Sequence, residues 1–145
     1  MGTFSRINTV FSGIVTTLYP STKQSFATPD LVSQEDLAEG QDLFGLYQNY
    51  TVIPDLRGNT DTAQNIGFFI GGLDSFDSSP AELNALIDTY EAKAKAIVQA
   101  FQDAEEVNRM SIDTFSLIPY YKQNSETLTG VWALFEIKVA QSLDC

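Results

Sequence analysis

Residues 79–109 read SPAELNALIDTYEAKAKAIVQAFQDAEEVNR, and the spacing within this stretch decides the fold class. Ser79 suits an N-cap, Pro80 the first helical position, and Glu82 the place of a capping-box carboxylate. Leu83, Leu86, Ile87, Tyr90, Ala94, Ile97, Val98 and Phe101 recur at intervals of three and four, which puts them on one apolar stripe. The stretch is expected to form one amphipathic helix running to about Arg109, a rod of roughly 45 Å. A rod of that length buries its stripe only against a sheet or other helices.

The flanking sequence supplies both. Phe4, Ile7, Val10, Phe11, Ile14, Val15 and Leu18 fall at helical spacing, so Thr3 to Leu18 is expected to be an amphipathic helix stopped by Tyr19-Pro20. Its other face carries Thr9, Ser12, Gly13, Thr16 and Thr17, weak helix formers, so tertiary packing must hold it. Lys23 to Thr28 fits a short strand, Thr28-Pro29-Asp30 a turn, and Ser33 to Asp36 the cap of a short helical turn. Phe44 to Ile53 is aromatic and β-branched and reads as one strand, with Pro54 ending it or placing it at an edge. Arg57 to Asp61 reads as a loop. Asn65 to Leu73 reads as a strand whose Gly67, Gly71 and Gly72 predict a bend or bulge.

Ile112 to Tyr121 and Leu128 to Ala140 read as two strands joined by a short polar link, Lys122 to Thr127, hence a hairpin. In the last strand Val131, Ala133, Phe135, Ile137 and Val139 share one face, and Trp132, Leu134, Glu136 and Lys138 the other. Phe115 and Leu117 likewise oppose Ile118 and Tyr120. Both faces of the hairpin are therefore apolar near its tip, so either the N-terminal helix or another subunit should cover the second face. The fold class is α+β: a mixed, mainly antiparallel sheet packed against one long helix, with an N-terminal amphipathic helix. No repeat or linker divides residues 1–145, which are read as a single domain.

The totals narrow the function. The chain has 19 acidic and 8 basic residues, no histidine and a net charge of −11. A duplex-binding surface needs clustered Lys and Arg, so sequence-specific nucleic-acid binding is not expected. No apolar run approaches the ~20 residues of a membrane span, and the N-terminal apolar residues are spread along a helix rather than gathered as in a signal peptide. The single cysteine, Cys145, makes no intrachain disulfide, so an intracellular or virion setting is expected over secretion. Asn49-Tyr50-Thr51 matches a glycosylation sequon and is read as chance.

Catalytic and metal-binding patterns are sparse. Without histidine there is no His-based triad, dyad or metal site, and no phosphate-binding glycine loop occurs. Asp74 to Ser79 does not match a calcium-loop spacing and reads as a turn with an N-cap. Asp103, Glu105 and Glu106 lie near the end of the long helix, where acids oppose its dipole; they read as a solvated face, or else as a patch kept for a partner or for repelling DNA. No enzymatic activity and no cofactor are expected.

The candidate functional residues are instead those of an interface. They are Arg57, Asn59 and Asp61 in the loop, Lys122 and Glu126 at the hairpin tip, and the aromatic pair Tyr120 and Trp132 on the second face. Trp132 and Tyr120 fit burial under the first helix, or else a subunit interface, where Trp and Tyr are enriched.

A long helix leading to a strand that ends in IPYY, a short polar turn and then LTGVWALFEIKV with a terminal Asp144-Cys145 resembles the small tail-completion or tail-terminator proteins of tailed bacteriophages. The order of elements is similar throughout the chain. The resemblance implies a structural virion protein, not an enzyme: a homo-oligomeric ring, commonly a hexamer, that caps the tail tube and joins it to the head-side neck or connector. It also implies an acidic lumen along which DNA slides, and no membrane. The alternative is a small cytosolic binding or adaptor domain with a ligand cleft between helix and sheet. An enzyme working through carboxylates alone is the remotest reading.

Overall fold

The computed structural model describes residues 2–25, 41–47, 50–73, 79–121 and 128–140. Helix α1 spans Thr3–Leu18, with Ile7, Phe11 and Val15 buried at intervals of four. It stops at Tyr19, whose backbone leaves the helical region just before Pro20 while its N–H still reaches Val15 O at 2.8 Å. Helix α2 spans Pro80–Asp103, and the Ser79 hydroxyl accepts from Glu82 N at 3.2 Å. Its stripe buries Tyr90, Ala94, Ile97, Val98 and Phe101, with Leu86 and Ile87 half-buried beside them.

The long helix is shorter than the expected run to about Arg109. It breaks at Ala104, and a separate turn α3, Glu105–Asn108, follows. The acids explain the place of the break. In a continuous helix Glu105 and Glu106 would face the negative end of the dipole; after it they open a new turn at its positive end. Arg109, in the left-handed region at φ 58°, ends α3 and turns the chain into the sheet.

Among the described residues the sheet has six strands: β1 Lys23–Ser25, β2 Asp42–Leu46, β3 Thr51–Pro54, β4 Thr60–Leu73, β5 Met110–Tyr121 and β6 Leu128–Ala140. Their order is β1-β2-β4-β6-β5, and β3 also pairs with β4, along the part that β2 leaves free. Among these described strands only β1 and β2 run parallel. The sheet is thus mixed and mainly antiparallel, and the hairpin β5–β6 is as expected. The remainder of the Lys23–Thr28 strand, the turn at Ser33–Asp36 and the hairpin tip lie outside the described residues.

Two strand expectations are corrected. The stretch Phe44 to Ile53 is not one strand but two, β2 and β3, laid end to end along β4. β4 is also longer than Asn65–Leu73, starting at Thr60, so Asp61 belongs to a strand and not to a loop. β4 carries a bulge between Ala63 and Ile66, with Asn65 at φ 61°; β6 follows it as one strand, while β2 and β3 pair the other edge on either side of it. The bulge therefore falls at Asn65 rather than at the glycines, which serve close approach instead: a Cβ at Gly72 would lie 2.3 Å from the Tyr90 hydroxyl oxygen.

Both helices cover the same face of the sheet. Phe11 of α1 lies 4.9 Å from the Phe101 ring of α2, and 6.2, 5.8 and 5.7 Å from Phe44, Phe68 and Phe135 of β2, β4 and β6. Polar contacts fix the edges of this layer. Arg6 donates to Ala140 O at 2.7 Å and Asn108 O at 3.3 Å, and Thr3 donates to Asp61 at 2.8 Å, holding the start of α1 to one end of the sheet. Toward the other end Asp42 accepts from the Tyr90 hydroxyl at 2.9 Å and pairs with Lys93, tying α2 to β2.

Tyr50 is buried with its ring tilted against Phe4 at 5.1 Å, and among the described residues its hydroxyl has no hydrogen-bond partner. Burial pushes its pKa up to about 12.

Two outcomes follow for stability. Phe11→Ala should cost about 3–5 kcal/mol in urea unfolding, since it removes the ring shared by both helices and three strands. Below pH ~10 Tyr50 is protonated folded or unfolded; between about 10 and 12 only the unfolded chain ionises, so stability falls as pH rises through that window, by about 2–3 kcal/mol. Comparing unfolding of the native chain and Tyr50→Phe at pH 7 and across this window should show nearly equal stability at pH 7 and a shallower alkaline fall in the variant.

Candidate functional site

The alternation of β6 has a consequence for the second face. Val131, Ala133, Phe135, Ile137 and Val139 are buried under the helices, so Leu128, Gly130, Trp132, Leu134, Glu136 and Lys138 point away from them. Cross-strand register completes this face: Ile118 lies opposite Trp132, Ser116 opposite Leu134 and Thr114 opposite Glu136 on β5, while Phe69 lies opposite Trp132 on β4.

The centre of the face is aromatic. Phe69 packs against Tyr120 at 5.2 Å and Trp132 at 5.7 Å, and Tyr47 meets Trp132 edge-on at 6.4 Å. Leu43, Phe69 and Leu128 are buried here, with Tyr120 and Trp132 half-buried around them. Phe69 lies over two glycines: a Cβ at Gly71 would meet its ring at 2.5 Å, and one at Gly130 would meet it at 2.8 Å. Toward β5 the cluster opens to solvent, with Ile118 47 % and Leu134 39 % exposed. The expectation that Trp132 and Tyr120 lie under the first helix is therefore corrected. The ring of Phe11 holds α1 beside α2, on the opposite face.

Next to the aromatic cluster the sheet is dented. The β4 bulge at Asn65 and a second bulge on β5, between Ile112 and Thr114, flank β6 at the level of Glu136 and Ile137. Between them lies an open depression of about 460 Å³, lined by Gln64, Ile66, Ser116, Leu134 and Glu136 among others. The free edge of β5 is itself blunted, by the bulge with the Asp113–Lys138 ion pair (3.3 Å) at one end and Pro119 at the other.

The remaining interface candidates are spread out. Arg57 and Asn59 are exposed in the turn between β3 and β4. Asp61 is half-buried and accepts from Thr3. Lys122 and Glu126 lie outside the described residues. Sequence reasoning missed Leu43, Phe69 and Leu56. The adjacent pair Phe68-Phe69 held a usable signal, because consecutive strand residues point to opposite faces and both need cover.

Among the described residues no three acidic or thiol groups converge to hold a metal ion, and no helix is long and apolar enough to cross a membrane.

Gly130→Ala should disturb this face more than its exposure suggests, since the new methyl would lie 2.3 Å from Ile70 O, a backbone atom. A loss of about 1–3 kcal/mol in urea unfolding and a shifted Trp132 emission are expected. Compared with known proteins, the chain matches no protein-family model and has no significant sequence match to a curated protein.

Proposed function

We propose that this chain is a structural subunit of a tailed-bacteriophage virion, a tail-terminator or tail-completion protein forming a ring between the tail tube and the head-side connector. The observation that carries this reading is the second sheet face, an aromatic and partly exposed surface with no described helix over it. Exposed apolar patches bordered by polar residues mark protein interaction sites. Charge is divided to match. α2 and α3 carry Glu82, Asp88, Glu91, Asp103, Glu105 and Glu106 against Lys93 and Lys95, whereas β5 and β6 carry only Asp113 and Glu136 against Lys138. Copies of a chain of charge −11 repel one another least through its near-neutral face. The acidic remainder suits a conduit along which DNA passes without adhering.

The rival reading, a binding domain with a cleft between helix and sheet, has less support. The described space between the layers is filled by the buried rings of Phe11, Phe44, Phe68, Phe101 and Phe135.

Light scattering over a wide concentration series, with electron microscopy of the large species, tests the proposal. A closed ring that binds isolated tail tubes is expected. Leu134→Asp, at an exposed position, should change stability by no more than about 1 kcal/mol yet lower the assembled mass. A chain that stays monomeric at every concentration and ignores tail tubes would refute the reading.

A further inference from the structure

Leu56 is the most exposed large apolar side chain among the described residues, at 94 %. It sits on a turn built to hold it. The Asp55 carboxylate accepts from Arg57 N at 3.0 Å, an Asx-turn, and a Cβ at Gly58 would lie 2.0 Å from that carboxylate. Glycine at 58 thus lets Asp55 fold over the turn while Leu56 and Arg57 project outward. At the β3 end of the sheet, the chain therefore presents a pre-ordered apolar knob beside a cation.

The depression between the two bulges is its complement. Leu134 gives it an apolar wall, and Glu136 is its one charged lining residue. Neither the Arg57 guanidinium nor the Glu136 carboxylate has an ion-pair partner among the described residues. The turn joins β3 to β4, and β3 pairs the edge of β4 opposite to the one β6 pairs.

We infer that the Asp55–Asn59 turn of one copy seats on the bulge-flanked depression of the next, with Leu56 against Leu134 and Arg57 paired to Glu136. The inference rests on the ring reading and specifies its contact. A knob and a socket at different places on one chain make a head-to-tail contact, the kind that closes into rings, whereas face-to-face pairing of identical patches would stop at a dimer. Strand addition at β5 is a poorer route, because Pro119 and the Asp113 bulge interrupt that edge.

Charge reversal on the full chain tests it, with self-association read by sedimentation and folding by thermal unfolding. Arg57→Glu and Glu136→Arg should each weaken assembly by about tenfold, and the double variant should recover most of that loss. Leu56→Asp should abolish assembly while leaving the unfolding midpoint nearly unchanged. If the native chain assembles and all four variants assemble equally well, the contact is wrong and the ring reading stands. If the single reversals weaken assembly but the double does not recover, the Arg57–Glu136 pairing is wrong. If the native chain stays monomeric at every concentration and ignores tail tubes, both readings fall.

Discussion

The structure depends on one ring. Phe11 is the only phenylalanine of α1 that is fully buried, and it meets Phe101 of α2 and the phenylalanines of three strands. A side chain packed in this way fixes more than its own burial. It commits α1 to the face already occupied by α2, because the ring has no counterpart on the other side. The sheet thereby acquires one face sealed by two helices and one face on which Leu43, Phe69, Tyr120 and Trp132 gather without a described helix above them. The candidate interface results from where the core was placed.

The two bulges act on the same scale. Each adds a residue to a neighbour of β6, at the same level and on opposite sides. Bulges bend a strand and re-aim its side chains. On β4 the bulge lies between the parts paired by β2 and by β3, and β3 leads into the Asp55–Asn59 turn. The two local irregularities therefore frame the depression that we propose the turn fills.

Much of this was legible in the sequence where local rules decide. The bounds of α1, the cap of α2, the alternation of β6 and the β5–β6 hairpin all follow from period and capping chemistry. The errors lie where tertiary structure decides. The break at Ala104 is hidden because the apolar stripe ends before it, leaving only the acids to signal it. The split between β2 and β3 shows only in their pairing along β4, on either side of its bulge. Amphipathicity told that α1 has a buried stripe but not which face of the sheet receives it, and so misplaced Trp132. Asp61 looked like a loop residue because its environment is polar; its polarity serves Thr3.

On the proposed assembly, the Trp132 face is open in a single copy and covered by another. Trp132 is the only tryptophan, so its emission reports that face without labelling. The most direct measurement is acrylamide quenching of Trp132 across a concentration series, read alongside molecular mass. Ready quenching in the dilute chain and protection that grows in step with mass are expected. Strong protection at the lowest concentration, or quenching that stays constant while mass rises, would contradict that assembly.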